Sequence, residues 1–140
     1  MQTQTPLISN IDETIDFTDK HILIADDEPI NLMVFTKMLV ARNAMVSKAG
    51  NGNEVLEKLR DGLRPDLILL DIKMPELDGY TTVKIIKETY PGLTVLAFTA
   101  SFLDEEAEQL LIEKGFNGSL PKSFKPESFY NKIACTLGAN

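Results

Sequence analysis

The 140-residue chain has one cysteine, Cys135, one histidine, His21, and no tryptophan. A lone cysteine excludes an internal disulfide and any zinc site built from cysteines, and it suits a reducing compartment. A cytoplasmic protein is therefore expected. A single imidazole offers no ligand set for a softer transition metal. Positive charge is scarce: 14 Lys and Arg stand against 21 Asp and Glu, giving a net charge of −7 and a pI near 4.7. Nucleic acid and anionic membranes both require a basic face, so neither is expected as a direct partner. No apolar run approaches the ~20 residues of a membrane span. Residues 1–19 are polar and acidic, without the basic-then-apolar pattern of a secretory signal. They are expected to form a tail or linker that packs little. There is no low-complexity tract and no repeat of solenoid length.

What the chain does have is alternation. Its 44% hydrophobic content suffices for one core but not comfortably for two. Short apolar runs predict strands over 21–25, 45–49, 67–70, 94–98 and 118–120. Amphipathic stretches between them predict helices. The first spans 29–42, opened by Pro29, with Leu32, Phe35 and Leu39 at helical spacing. The second spans 51–61, where Asn51 and Glu54 have the spacing of a capping box. The third spans 80–89, with Tyr80, Val83 and Ile86 on one face before Pro91 and Gly92. The fourth is capped by Ser101 and Asp104 and ends at Gly115; the fifth spans 126–137. Five βα units with apolar strands imply a parallel sheet covered on both faces, a three-layer doubly wound α/β sandwich.

In such sheets ligands bind beyond the carboxyl ends of the strands. Asp26, Asp27 and Glu28 follow the first strand, Asp71 the third, Thr99 and Ala100 the fourth, and Lys122 the fifth. The fold would gather them at one edge. Two carboxylates ~5 Å apart repel by about 3 kcal/mol at an effective dielectric of ~20. Asp26, Asp27 and Asp71 together therefore call for a cation, and a hard divalent ion with oxygen ligands such as Mg²⁺ fits. With the lysine and the threonine hydroxyl, the set suits in-line phosphoryl transfer to Asp71.

At these residues the chain resembles a known family. The segments "ILIADDEPIN", "LILLDIKMPELDGY", "VLAFTA" and "GFNGSLPKSF" are similar to the four signature segments of response regulator receiver domains, those of hybrid sensor histidine kinases in particular. The resemblance covers residues 20–138 as the receiver, with 1–19 outside it. It implies a (βα)5 flavodoxin-like fold with strand order 2-1-3-4-5. It makes Asp71 the phosphoacceptor, Thr99 the switch hydroxyl and Lys122 the phosphoryl-binding lysine. Asp26, Asp27, Asp71 and the backbone carbonyl of Lys73 become the Mg²⁺ ligands. The donor becomes a phosphohistidine on a histidine kinase or phosphotransfer domain. The domain would be a phosphoacceptor in a phosphorelay rather than a turnover enzyme, without a DNA-binding output domain. The linker-like start favours a segment of a hybrid histidine kinase over a stand-alone regulator.

Two positions depart from the family pattern. Lys122 is followed by Ser123, where the family usually has proline, and Pro121 precedes it instead. Ser119 stands where many receivers carry a Tyr or Phe that changes rotamer on activation. A phosphate-independent docking module is the reading those departures would favour. A phosphatase of the haloacid-dehalogenase type would want an Asp at position 73, where Lys73 stands, and no P-loop is present. Lys73 could pair with a phosphoryl group, Glu76 or Asp78. His21 reads as structural, "GNGNEV" as a turn with a helix cap, and Met33 and Met38 as core. The run from Asp104 to Glu108 reads as a solvated first helical turn, and Cys135 as a packed small apolar residue.

Overall fold

The computed structural model describes residues 14–100, 103–122 and 125–138. Five strands alternate with five helices: β1 (His21–Ala25), α1 (Pro29–Val40), β2 (Met45–Ala49), α2 (Gly52–Arg60), β3 (Leu67–Asp71), α3 (Gly79–Thr89), β4 (Val95–Thr99), α4 (Glu105–Lys114), β5 (Ser119–Pro121) and α5 (Pro126–Leu137). The strands form one parallel sheet in the order β2-β1-β3-β4-β5. This is the doubly wound sandwich and strand order expected. Element ends differ by a residue or two, as fraying ends do.

Strand alternation builds two cores. Ile22, Ile24, Leu67, Leu69, Leu96 and Phe98 point to one face and meet Phe35 and Leu39 of α1 and Phe129 and Ile133 of α5. Leu23, Ala25, Ile68, Leu70, Val95 and Ala97 point to the other and meet Val55 and Leu59 of α2, Val83 and Ile86 of α3 and Leu111 of α4. Period-two alternation with both faces covered explains why these strands read as unbroken apolar runs.

The helix caps follow local chemistry. The Asn51 side chain accepts from the Glu54 N–H, and Glu54 reaches back to the Gly50 N–H at 2.7 Å, one residue before the cap. Asp104, one of the two expected capping residues, caps α4 by accepting from the Ala107 N–H at 2.8 Å. Ser101 lies outside the described residues.

Three expectations need correction. The segment before β1 does pack: Ile15 and Phe17 are buried in the core beneath α1 and α5. The Phe17 N–H donates to the Arg42 carbonyl at 2.7 Å, and Arg42 Nη1 donates to the Ile15 carbonyl at 3.0 Å. The Arg42 guanidinium lies 4.2 Å from the Tyr130 ring centroid, and Tyr130 Oη donates to the Met38 carbonyl. The packed body therefore includes residues that composition assigns to a tail. Met38 is partly buried against the core, but Met33 is 51% exposed, and Ile30 and Val34 on the same helix are exposed with it. Cys135 is exposed rather than packed. His21 is structural as expected, its Nε2 hydrogen-bonded to Ser47 Oγ at 2.7 Å.

The Phe17 contacts set a stability test. Phe17→Ala empties a fully buried aromatic site and should lower the free energy of unfolding by about 3–5 kcal/mol in urea titrations. Met33→Ala, on the exposed face of α1, should change it by less than ~0.5 kcal/mol.

Candidate active site

The carboxyl ends of β1, β3, β4 and β5 meet at one edge of the sheet. Each strand delivers its last apolar residue to the core and its next polar residue to the rim. Ala25 is followed by Asp26, which is completely buried. Asp26 Oδ1 accepts from the Glu28 N–H at 2.9 Å, and Oδ2 accepts from Asn31 Nδ2 at 3.3 Å. Asp27 beside it is exposed. Asp71 ends β3 and is also buried, with Oδ1 accepting from the Lys73 N–H at 3.2 Å. Thr99, buried, ends β4 opposite Pro121. The Thr99 carbonyl accepts the Lys122 N–H at 2.6 Å, which fixes where the lysine leaves β5.

The centre is ionic. Lys122 Nζ lies 2.8 Å from Asp26 Oδ2 and 3.1 Å from Asp71 Oδ2. One ammonium thus bridges carboxylates from two different strands. Asp26, Asp27 and Asp71 each offer an oxygen, all within 4.8 Å of one another. Three carboxylate oxygens with no sulfur or imidazole in the group form a donor set for a hard divalent cation. Five of the expected site residues, Asp26, Asp27, Asp71, Thr99 and Lys122, thus gather at one edge.

Burial, the largest influence, raises the Asp71 carboxyl above its ordinary value; Lys122 works against this and the charge of Asp26 adds to it. Burial pulls the Lys122 ammonium down, but its bonds and charge interactions with Asp26 and Asp71 carry it above its ordinary value.

The turn after β3 opens the front of the site. Met74 is buried under it, while Lys73 is exposed. Asp78 is occupied capping α3, accepting from the Thr81 N–H at 2.8 Å, and Glu76 accepts from Asn53 Nδ2 at 3.4 Å. Lys73 forms no ion pair with either acid among the described residues. It lines a cavity of about 690 Å³ together with Asp27, Asp71, Thr99 and Leu103. Gly79 closes the turn: its N–H donates to the Ile72 carbonyl at 2.8 Å. A Cβ there would overlap the Asp71 carbonyl oxygen, so only glycine lets α3 start this close to the strand end.

Asn31 is a residue that sequence reasoning did not place in the site. Its signal lay in "DDEPIN": five residues after Asp26, it sits one turn into a helix that starts at the rim. Ser123, which follows the lysine, lies outside the described residues.

Residues 22–134 match the family model for the response regulator receiver domain. This chain belongs to that family. Two-component response regulator ARR22 of Arabidopsis thaliana is 33% identical over 115 residues, covering 81% of each chain. Sensor protein TorS of Escherichia coli is 26% identical over 117 residues; the match covers 84% of this receiver but only 13% of TorS. The structure of the receiver domain of sensor histidine kinase PA1611 from Pseudomonas aeruginosa superposes with a TM-score of 0.75 at 28% identity. That match covers 86% of this receiver and 98% of the other chain, whose active-site cleft coordinates a magnesium ion. Among the described residues no helix is long and apolar enough to cross a membrane.

Two stability experiments follow from the ionic centre. Lys122→Met leaves Asp26 and Asp71 facing each other without a cation. It should cost about 3 kcal/mol in the absence of divalent ions, read by urea denaturation. Asp71→Asn should raise the melting temperature at pH 7. The raised carboxyl means that ionised Asp71 opposes folding; its favourable contribution is complete below the unfolded value and lost as pH rises through the folded one. The gain over wild type should therefore shrink as the pH is lowered toward about 4.

Proposed function

We propose that this receiver accepts a phosphoryl group on Asp71 from a phosphohistidine of a histidine kinase or phosphotransfer domain. The observation that carries the reading is the grouping of Asp26, Asp27 and Asp71 within 4.8 Å, with Lys122 bridging two of them. An Asp71 carboxylate oxygen attacks phosphorus, the phosphorus–nitrogen bond breaks, and its electron pair returns to the donor imidazole. Asp71 stands on a rigid strand end with its other oxygen held by the Lys73 N–H or Lys122, so little reorganisation precedes attack. Lys122 is the cation that can transfer from the two carboxylates to an oxygen of the incoming phosphoryl group. Thr99 opens on the same cavity and supplies the hydroxyl that follows the phosphoryl group. Lys73, without an acidic partner among the described residues, is the second cation at the mouth.

Mg²⁺ would be held by Asp26, Asp27, Asp71 and the backbone carbonyl of Lys73. When bound, it offsets the charge on the phosphoryl oxygens and the three carboxylates. The ion in the cleft of the PA1611 receiver supports this assignment. The match to 13% of the sensor protein TorS supports a receiver carried within a longer sensor protein. A stand-alone regulator is the second reading, favoured by the equal 81% coverage with ARR22.

The test is incubation with acetyl phosphate followed by intact-mass measurement. One phosphoryl adduct should form with Mg²⁺ present, and Asp71→Asn should abolish it. EDTA should slow its formation by about 100-fold, equal to ~3 kcal/mol of transition-state stabilisation. Well-folded wild-type protein that takes no adduct would overturn the reading.

A further inference from the structure

The position where many receivers place a mobile aromatic is occupied here by a hydrogen-bonded pair. Ser119 opens β5, an edge strand that pairs only with β4 among the described residues. Its N–H donates to Glu108 Oε2 at 3.1 Å, and its hydroxyl donates to the same oxygen at 2.8 Å. Glu108 lies in the first turn of α4, where its own N–H donates to the carbonyl of the capping Asp104. Composition reads Glu108 as one more solvated acid of that turn. Instead, it is half-buried and turned back onto the sheet. Two donors on one carboxylate oxygen are charge-assisted bonds, stronger than neutral ones.

The pair joins β5, whose end carries Lys122 to the ionic centre, to α4. Ser119 is three residues before Lys122, and β5 pairs with the last residues of β4, ending at Thr99. Leu103 lies at the far end of the connection from Thr99 to α4 and lines the cavity over Asp71. It also lines a second cavity, of about 270 Å³, beside Glu108, Ser119 and Lys132. Thr99 pairs with Pro121, and its carbonyl accepts the Lys122 N–H, so a displacement of Thr99 toward Asp71 is felt along β5, which is tied to α4 through Glu108. The small cavity gives the carboxylate room to leave, and Lys132 on its wall offers a cation to receive it.

We propose that Glu108 and Ser119 form a latch that holds α4 against β5 in the unphosphorylated receiver and opens when Asp71 carries a phosphoryl group. Glu108 is a positioning residue in this scheme: it touches neither the phosphoryl group nor the metal site. The proposal rests on the phosphoacceptor reading. A contact present in one state only biases the equilibrium against the other, and by linkage its removal strengthens whatever binds the other state.

The experiment is titration of the receiver with beryllofluoride, a phosphoryl mimic, in Mg²⁺, followed by fluorine NMR. Ser119→Ala and Glu108→Gln should each bind it about 3- to 10-fold more tightly than wild type. The double variant should match the stronger single one within about 2-fold, because both changes remove one contact. Hydrogen exchange gives a readout that needs no variant: the Ser119 amide should lose protection when beryllofluoride binds wild-type protein. Unchanged or weaker affinity in both variants, or a Ser119 amide equally protected in both states, overturns the latch. Wild-type protein that binds no beryllofluoride overturns the phosphoacceptor reading and the latch with it.

Discussion

The rest of the site depends on one ammonium group held between two buried carboxylates. Asp26 and Asp71 arrive on neighbouring strands and face each other where solvent screening is weak. Without a cation, their repulsion would amount to a few kcal/mol, a sizeable share of a domain's stability. Lys122 offsets it from a third strand and at the same time ties β5 to the centre of the sheet. The arrangement is stable and also replaceable. An ion or a phosphoryl group that takes over one of these contacts frees the lysine to follow the charge. A site whose balance rests on a single movable cation responds to a change of charge at Asp71 with a change of geometry.

The scaffold makes that response directional. Leu67 to Leu70 are fully buried and set Asp71 at the sheet edge with no freedom to retreat. Gly79 lets α3 abut the same strand end, so the β3 side of the site is rigid. The β5 side is different. β5 has three residues, lies at the sheet edge, and is held by β4, Lys122 and the Glu108 carboxylate. Motion released at the centre is therefore expected toward α4 and β5, where the fewest contacts resist it.

Much of this was legible in the sequence because it obeys simple periods. Five apolar runs and five amphipathic stretches are read directly. The polar residues that end those runs then fall at one edge by topology alone, which is why Asp26, Asp27, Asp71, Thr99 and Lys122 form one group in the sequence. The failures share a cause. Ile15 and Phe17 are isolated apolar residues in an acidic stretch, so no period marks them, and only the floor left between α1 and α5 buries them. On α1, apolar residues cover more than one face, so spacing cannot say that Met33 turns outward while Leu39 turns in. Glu108 belongs to an acidic run that reads as solvent-facing; its role depends on a strand eleven residues later.

That last failure bears on how the receiver departs from the family pattern at Ser119. Replacing an aromatic with serine removes a large side chain that could swing between a buried and an exposed position. It leaves the N–H and hydroxyl of Ser119 in need of an acceptor, and Glu108 is placed to supply one oxygen for both. In the proposed latch, a hydrogen-bond change driven by charge takes the place of a rotamer change driven by packing. Packing contacts vary little with ionic conditions, whereas a half-buried carboxylate with a lysine lining the neighbouring cavity is open to screening. The coupling between Asp71 and α4 in this receiver should therefore weaken with added salt, a dependence that an aromatic switch at position 119 would not share.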